Sequence, residues 1–345
     1  MSKILIIRFS ALGDVAMTVP VVYSLSTTYP MHEFYVLSRQ QFKPLFELLP
    51  VNVHFIGADL TGKHDGLSGM NRLHRELKVE KFDYMADLHS VLRSNYLRFR
   101  FIMNGIPTAR IHKGRLEKKR LTQKRHKLLI PLETSFLRYQ KVFEKLGFHF
   151  DLRFESVFTD KQVDISKIID ITGKKEDIKW LGIAPFAKHK GKIYPLELQE
   201  KVISHFANEK RVKVFLFGGG ATEQNIADKW VEKYPSILSV VNKLKTSQEL
   251  VLMSQLDLMF SMDSANMHLA SMVNTTVVSL WGATHPDAGF MGWNQSADHT
   301  IQVDLSCRPC SVYGQKECYR KDYACLYQIK PTEVINRIEN VLYNS

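Results

Sequence analysis

The residues best suited to chemistry in this 345-residue chain lie where apolar runs give way to small and charged residues. The first such junction is Arg8-Phe9-Ser10-Ala11-Leu12-Gly13-Asp14, directly after Ile4-Leu5-Ile6-Ile7. A carboxylate there can take a proton from a hydroxyl. Ser10 and Gly13 would line the same turn, glycine permitting a tight bend or a positive φ. Asp14 equally suits a helix start, where an acidic side chain caps amides and faces the positive end of the helix dipole. The second junction is Gly218-Gly219-Gly220, directly after the strand candidate 212–217. A glycine turn that opens a helix lets a ligand approach the backbone, and Glu223 just beyond could grip ribose hydroxyls. The third is Ser261-Met262-Asp263-Ser264-Ala265-Asn266-Met267-His268. Amides at such a helix start suit a diphosphate. Asp263 could bind sugar hydroxyls or cap the helix, and His268, one turn inside, would face either ligand or core. Lys192, in Gly191-Lys192-Ile193-Tyr194-Pro195, precedes another helix and could neutralise a leaving diphosphate.

These junctions need strands and helices to hold them. Short apolar runs predict strands over 4–7, 34–37, 53–56, 84–88 and 109–111, with a helix over 15–25, so the first half reads as repeated β-α units. The polar stretch 159–179 reads as an inter-domain connection. A second series follows, with strands over 180–184, 212–217, 237–241, 258–261 and 275–280. Helices are expected over 195–209, 223–233, 247–255 and 265–273, with Pro195 in a first turn. A last amphipathic helix covers 331–343. Two successive β-α-β domains place ligands at the carboxyl ends of their strands.

Composition narrows the function classes. With 45% apolar residues the chain can bury two ordinary cores. No apolar run approaches the ~20 residues that span a bilayer, and Arg8 and Asp14 interrupt any signal-like core, so a cytoplasmic protein is expected. Residues 1–160 carry 25 Lys/Arg against 15 Asp/Glu, the rest 22 against 20. A basic first half meeting a polyanion is one reading, a solubilising surface the other.

The junctions together resemble the heptosyltransferases, inverting enzymes that act on lipopolysaccharide. Ile7 to Val15 with Pro20 is similar to that family's N-terminal signature. Phe82-Asp83, Asp87-Leu88-His89 and Arg93-Ser94 resemble its second motif. Gly191 to Pro195, the triple glycine, Asp263-x4-His268 and Trp281-Gly282-x-Thr284-x-Pro286 follow its donor half in order. The resemblance implies an α/β protein of GT-B architecture, two Rossmann-like domains with parallel sheets facing across a cleft. Residues 1–165 would be the acceptor-binding domain and 175–330 the donor-binding domain, with helix 331–345 packing back toward the first. Asp14 matches the general base. Lys192, Gly219, Glu223, Asp263, Ser264, Ala265 and His268 match the donor site. Ser10, Gly13, His89, Arg93, Arg110 and Lys113 are the acceptor-side candidates. The implied donor is ADP-heptose, with no cofactor and no catalytic metal, fixed charge and helix dipoles meeting the leaving group. The implied acceptor is an anionic lipid-linked oligosaccharide at the inner leaflet, which makes the enzyme peripheral to the inner membrane. Ser264-Ala265 stands where the family often has Thr-Gly, a departure that bears on donor geometry. Other nucleotide sugars, a GT-B epimerase and a non-catalytic lipopolysaccharide-precursor binder are the rival readings.

Residues 113–127 carry eight Lys/Arg against Glu117 alone. With Arg93, Arg98, Arg100 and Arg110 they are expected to form one acceptor-side lobe, the stretch itself a flexible loop that meets acidic sugars at the membrane. A nucleic-acid patch is disfavoured because no aromatics interleave with the charges. The four cysteines, Cys307, Cys310, Cys318 and Cys325, fall within 19 residues. They could hold a structural zinc, or remain thiols, or form a labile disulfide.

Overall fold

The computed structural model describes residues 1–159 and 161–344, which divide into two compact units. The first comprises residues 1–113 and 133–157, the second 114–132 and 158–345.

The first unit begins with β1 (Lys3–Ile7), α1 (Leu12–Ala16), α2 (Val19–Thr28), β2 (Glu33–Arg39) and β3 (Val53–Ala58). It continues with α3 (Gly66–Lys78), β4 (Tyr84–Asp87), α4 (Leu92–Met103) and β5 (Thr108–Arg110). The chain then leaves for α5 (Arg115–Thr122) and returns with α6 (Ser135–Glu144). The strands pair in the order β3-β2-β1-β4-β5, every pairing parallel. Ile4 to Ile7 are wholly buried, as the unbroken apolar run of β1 requires of a strand covered on both faces. The single helix expected over 15–25 is instead two, α1 and α2. Pro20 has no amide to donate to the carbonyl of Ala16, and Thr18 Oγ1 donates to the Val15 carbonyl at 2.7 Å to close the first helix.

The second unit contains α7 (Ser166–Thr172), β6 (Lys179–Ala184), α8 (Leu196–Ala207), β7 (Val212–Leu216), α9 (Ala221–Lys233), β8 (Leu238–Ser239) and α10 (Thr246–Gln255). It ends with β9 (Leu258–Met262), α11 (Ala265–Met272), β10 (Val277–Leu280), β11 (Thr300–Ile301), α12 (Ala324–Tyr327) and α13 (Pro331–Asn344). Its strand order is β11-β10-β9-β6-β7-β8, again all parallel.

Helix α13 is part of the second unit. Its apolar stripe Val334, Ile338, Val341 and Leu342 sits in the second unit's core, along α8, β9 and β10. The basic stretch 113–127 is not a flexible part of the acceptor-side lobe. From Gly114 onward it belongs to the second unit and forms α5 followed by an extended segment. Lys118 lies over the Phe290 ring at 4.2 Å and Lys124 over Tyr319 at 4.7 Å. Lys127 Nζ donates to the Ser306 carbonyl at 3.1 Å, and Leu132 N–H to that of Asp287 at 2.8 Å. These contacts fasten the segment at both ends. Counted by unit, the first carries 18 Lys/Arg against 13 Asp/Glu and the second 29 against 22, so the charge bias of the first half does not describe a domain.

Candidate active site

Each sheet changes direction of winding once, between β1 and β4 in the first unit and between β6 and β9 in the second. Crevices at the carboxyl ends of such strand pairs are where parallel sheets receive ligands. Asp14 and His89 follow β1 and β4, and Lys192 and Asp263 follow β6 and β9.

In the first unit, Arg8 Nη2 pairs with Asp14 Oδ2 at 2.8 Å. The Ala11 N–H donates to the same oxygen at 3.2 Å, so the aspartate also closes the first turn of α1. Arg8 is itself held by the Leu88 carbonyl, 2.8 Å from Nη1, and lies 5.8 Å from the Tyr139 ring centroid. The Arg8 side chain is 9% exposed and that of Asp14 30%, so the cation is the buried member. Asp87, fully buried, folds the neighbouring turn. Its Oδ1 accepts from the amides of His89 at 2.9 Å and Ser90 at 2.7 Å, and its Oδ2 accepts from Ser94 Oγ at 3.0 Å. His89 Nδ1 accepts the Phe9 N–H at 3.3 Å. Burial, reinforced by the positive charges of Arg8 and Lys113, pushes His89 down to about 3. The imidazole is therefore neutral at physiological pH.

The other acceptor-side candidates separate. Ser10 is half-buried in the turn after β1, and Arg110 is exposed at the end of β5, in register with Asp87. Lys113 lies near enough to act on His89. Gly13 makes no tight bend: it is the second residue of α1 and has no positive φ. Arg93 is committed elsewhere, donating to Asp65 at 2.9 Å and to the Leu60 carbonyl at 3.3 Å. Sequence reasoning missed Arg8 and Arg39. Both stand at the carboxyl ends of inner strands, β1 and β2, which is the signal that could have found them.

In the second unit, Lys192 Nζ pairs with Asp263 Oδ2 at 2.8 Å, and Thr284 Oγ1 donates to the same oxygen at 2.8 Å. Here the carboxylate is the buried member, 4% exposed against 16% for the lysine. Asp263, Ser264 and Ala265 lead into α11, whose first-turn amides have no acceptor within the helix. Ala265 is the first helical residue and has no positive φ, so its backbone conformation does not call for glycine. His268 is buried one turn further on. In the glycine turn, the Gly219 N–H donates to Glu223 Oε2 at 2.8 Å, and Asn242 clasps Gly220 from both sides at 3.0 and 3.3 Å. Burial raises the Glu223 carboxyl.

A support for this cluster was not foreseen. The Arg308 guanidinium, buried between Cys307 and Pro309, donates to the carbonyls of Trp281, Gly282, Thr284 and Val303 and to Gln302 Oε1. It thereby fixes the loop that carries Thr284. Gly314, at φ +77°, lies against Lys192, where a Cβ would come within 2.7 Å of Lys192 Cγ. Among the described residues no three or more His, Cys, Asp or Glu side chains are grouped to hold a metal ion. All four are free thiols. Cys325 belongs to the apolar core and is pushed up to about 12 by burial, while Cys318 donates to Asp322 at 3.8 Å.

The model of glycosyltransferase family 9 (heptosyltransferase) matches residues 70–320. The chain is 25% identical over 339 residues to lipooligosaccharide heptosyltransferase 2 of Campylobacter jejuni, covering 97% of this chain and 96% of that one. Among solved structures it resembles the family 9 glycosyltransferase of Veillonella parvula, with a TM-score of 0.75 at 19% identity over 100% of this chain and 98% of that one. It also resembles E. coli ADP-heptose lipopolysaccharide heptosyltransferase II, with a TM-score of 0.70 at 17% identity over 99% of each chain. These likenesses show the GT-B fold. Matched by the family model over more than half its length and built on that fold, the chain belongs to glycosyltransferase family 9, the heptosyltransferases.

Proposed function

We propose that this enzyme transfers heptose from ADP-heptose to the inner core of an anionic, lipid-linked lipopolysaccharide precursor, with inversion at the anomeric carbon. Asp14 takes the proton of the acceptor hydroxyl as its oxygen bonds to that carbon. The bond from carbon to phosphate oxygen breaks, and its electron pair leaves on ADP. Lys192 and the first-turn amides of α11 meet the charge that develops on the diphosphate, the arrangement of a transferase that needs no metal. The second unit would hold the donor, with Gly219 and Glu223 toward the ribose. The first would hold the acceptor, with Arg8, Arg39 and Lys113 near His89 giving it a cationic setting for an acidic sugar.

The observation that carries the proposal is the Lys192–Asp263 pair, held by Thr284 at the start of α11, in a chain of this family. The donor reading is supported by the E. coli ADP-heptose lipopolysaccharide heptosyltransferase II, and the acceptor reading by the Campylobacter lipooligosaccharide enzyme. Among the described residues no helix is long and apolar enough to cross a membrane, which leaves a peripheral site of action at the inner leaflet as the reading. Thermal-shift binding of ADP, UDP and GDP to the wild type and to Lys192→Ala tests the donor. Preferential stabilisation by ADP that the variant loses is the expected result; a preference for UDP or GDP would replace the donor.

A further inference from the structure

The segment from α5 to Ile130 carries a strong excess of basic charge beside apolar side chains that the fold leaves in water. Helix α5 turns Lys118 and Leu121 inward and presents Arg115, Leu116, Lys119 and Arg120, which recur at helical spacing on one face. Leu116 is 74% exposed. After the helix, Lys124 and Arg125 are exposed, and the consecutive residues Leu128, Leu129 and Ile130 are 48%, 53% and 51% exposed. Three adjacent large apolar side chains in water are unfavourable unless something covers them. The contacts through Lys118, Lys124, Lys127 and Leu132 hold the segment in place on the second unit.

We infer that this segment is a membrane-seating surface, with Leu116 and Leu128–Leu129–Ile130 entering the headgroup and acyl boundary of an anionic bilayer while the surrounding Lys and Arg bind its lipid phosphates. The inference deepens the proposed function and rests on it for the lipid nature of the acceptor. The charge argues for the occupant. Glu117 is the only acidic residue against seven Lys/Arg over 115–130, so the surface complements an anionic one and repels its like. A soluble polyanion would satisfy the charges and leave the apolar residues wet. An anionic leaflet satisfies both, the combination by which interfacial segments bind.

The test is sedimentation of the purified full-length enzyme with vesicles of phosphatidylcholine alone or containing one quarter phosphatidylglycerol, at low and high salt. The wild type should partition onto the anionic vesicles, release with salt, and ignore phosphatidylcholine. The triple substitution Leu128→Asn, Leu129→Asn, Ile130→Asn should weaken partitioning at least ~10-fold, and Lys124→Gln with Arg125→Gln should weaken it and flatten its salt dependence. Unaltered vesicle binding by the triple variant would overturn the inference, as would a wild type that ignores anionic vesicles. A triple variant that turns an oligomer into a monomer would also overturn it, identifying the surface as a contact between copies. Heptose transfer to a delipidated, water-soluble acceptor separates the two claims. The triple variant should retain that activity, and its presence in the wild type without vesicle binding would sink the inference alone. Vesicle binding without transfer to any acceptor would leave the surface standing and sink the catalytic reading.

Discussion

The two units place an ion pair at the same point of the same kind of sheet, yet they bury opposite members of it. After β1, Arg8 is 9% exposed and Asp14 30%, so the first unit presents a carboxylate. After β6 and β9, Asp263 is 4% exposed and Lys192 16%, so the second presents an ammonium. A carboxylate can accept a proton, and an ammonium can neutralise a diphosphate. The buried partner keeps the presented group in place, and breaking a buried pair from one side costs about 3 kcal/mol or more. In the proposed mechanism one architecture would thus serve two halves of a reaction through which side chain reaches solvent.

Replacing Asp14 by Asn should break this division most severely. Turnover should fall ~10³-fold or more with ADP binding unchanged, read as release of ADP from ADP-heptose alongside thermal shift. A variant that binds ADP and turns over normally would remove Asp14 from the chemistry. Lys192→Ala should lower turnover ~10²-fold and weaken ADP binding, and it should also destabilise the second unit, because Asp263 stays buried. Lys192→Arg should recover the stability.

The units should also differ in their response to pH. His89 in the first unit has a folded pKa of about 3 against 6.5 unfolded, so the unfolded chain binds the extra proton between these values. The stability it contributes is present above pH 6.5 and is lost as pH falls toward 3. Between pH 7 and 4 the loss should be about 3 kcal/mol, and denaturation of His89→Asn, which can still accept the Phe9 amide, should show a shallower acid slope. Equal slopes in the two proteins would contradict the neutral imidazole. Glu249 in the second unit behaves oppositely, pushed by burial up to about 7 from 4.5. Its stability is fully present below pH 4.5 and is lost as pH rises through about 7. Glu249→Gln should therefore stabilise the protein by about 3 kcal/mol at pH 8 and leave it unchanged at pH 4. A gain at both values would point to packing rather than ionisation.

Much of the scaffold was legible in the sequence because buried parallel strands must be short apolar runs. The runs 4–7, 180–184 and 258–261 each match a central strand to within a residue or so. Local chemistry could also be read: Asp14, Lys192, Asp263 and the glycine turn lie where strands end and helices begin. The helix over 15–25 failed on one missing amide, that of Pro20. Arg308 was illegible because its five acceptors come from residues 281–284 and 302–303, which only the folded loop gathers around one guanidinium. The cysteine cluster could be read only in part: the fold brings Cys307, Cys310 and Cys318 near enough to act electrostatically on Cys325, but it also packs Cys325 into the apolar core, which spacing in the chain does not reveal.

By itself, then, the sequence determined the β-α order, the two-unit plan and the chemical types at each strand end, since apolar periodicity and junction residues are local properties. Only the tertiary structure decided which member of each ion pair is buried and that α13 completes the second core. It also decided that the basic segment belongs with residues beyond 280 rather than with its neighbours in the chain. Burial and unit membership depend on contacts between residues far apart in sequence, and no local pattern encodes them.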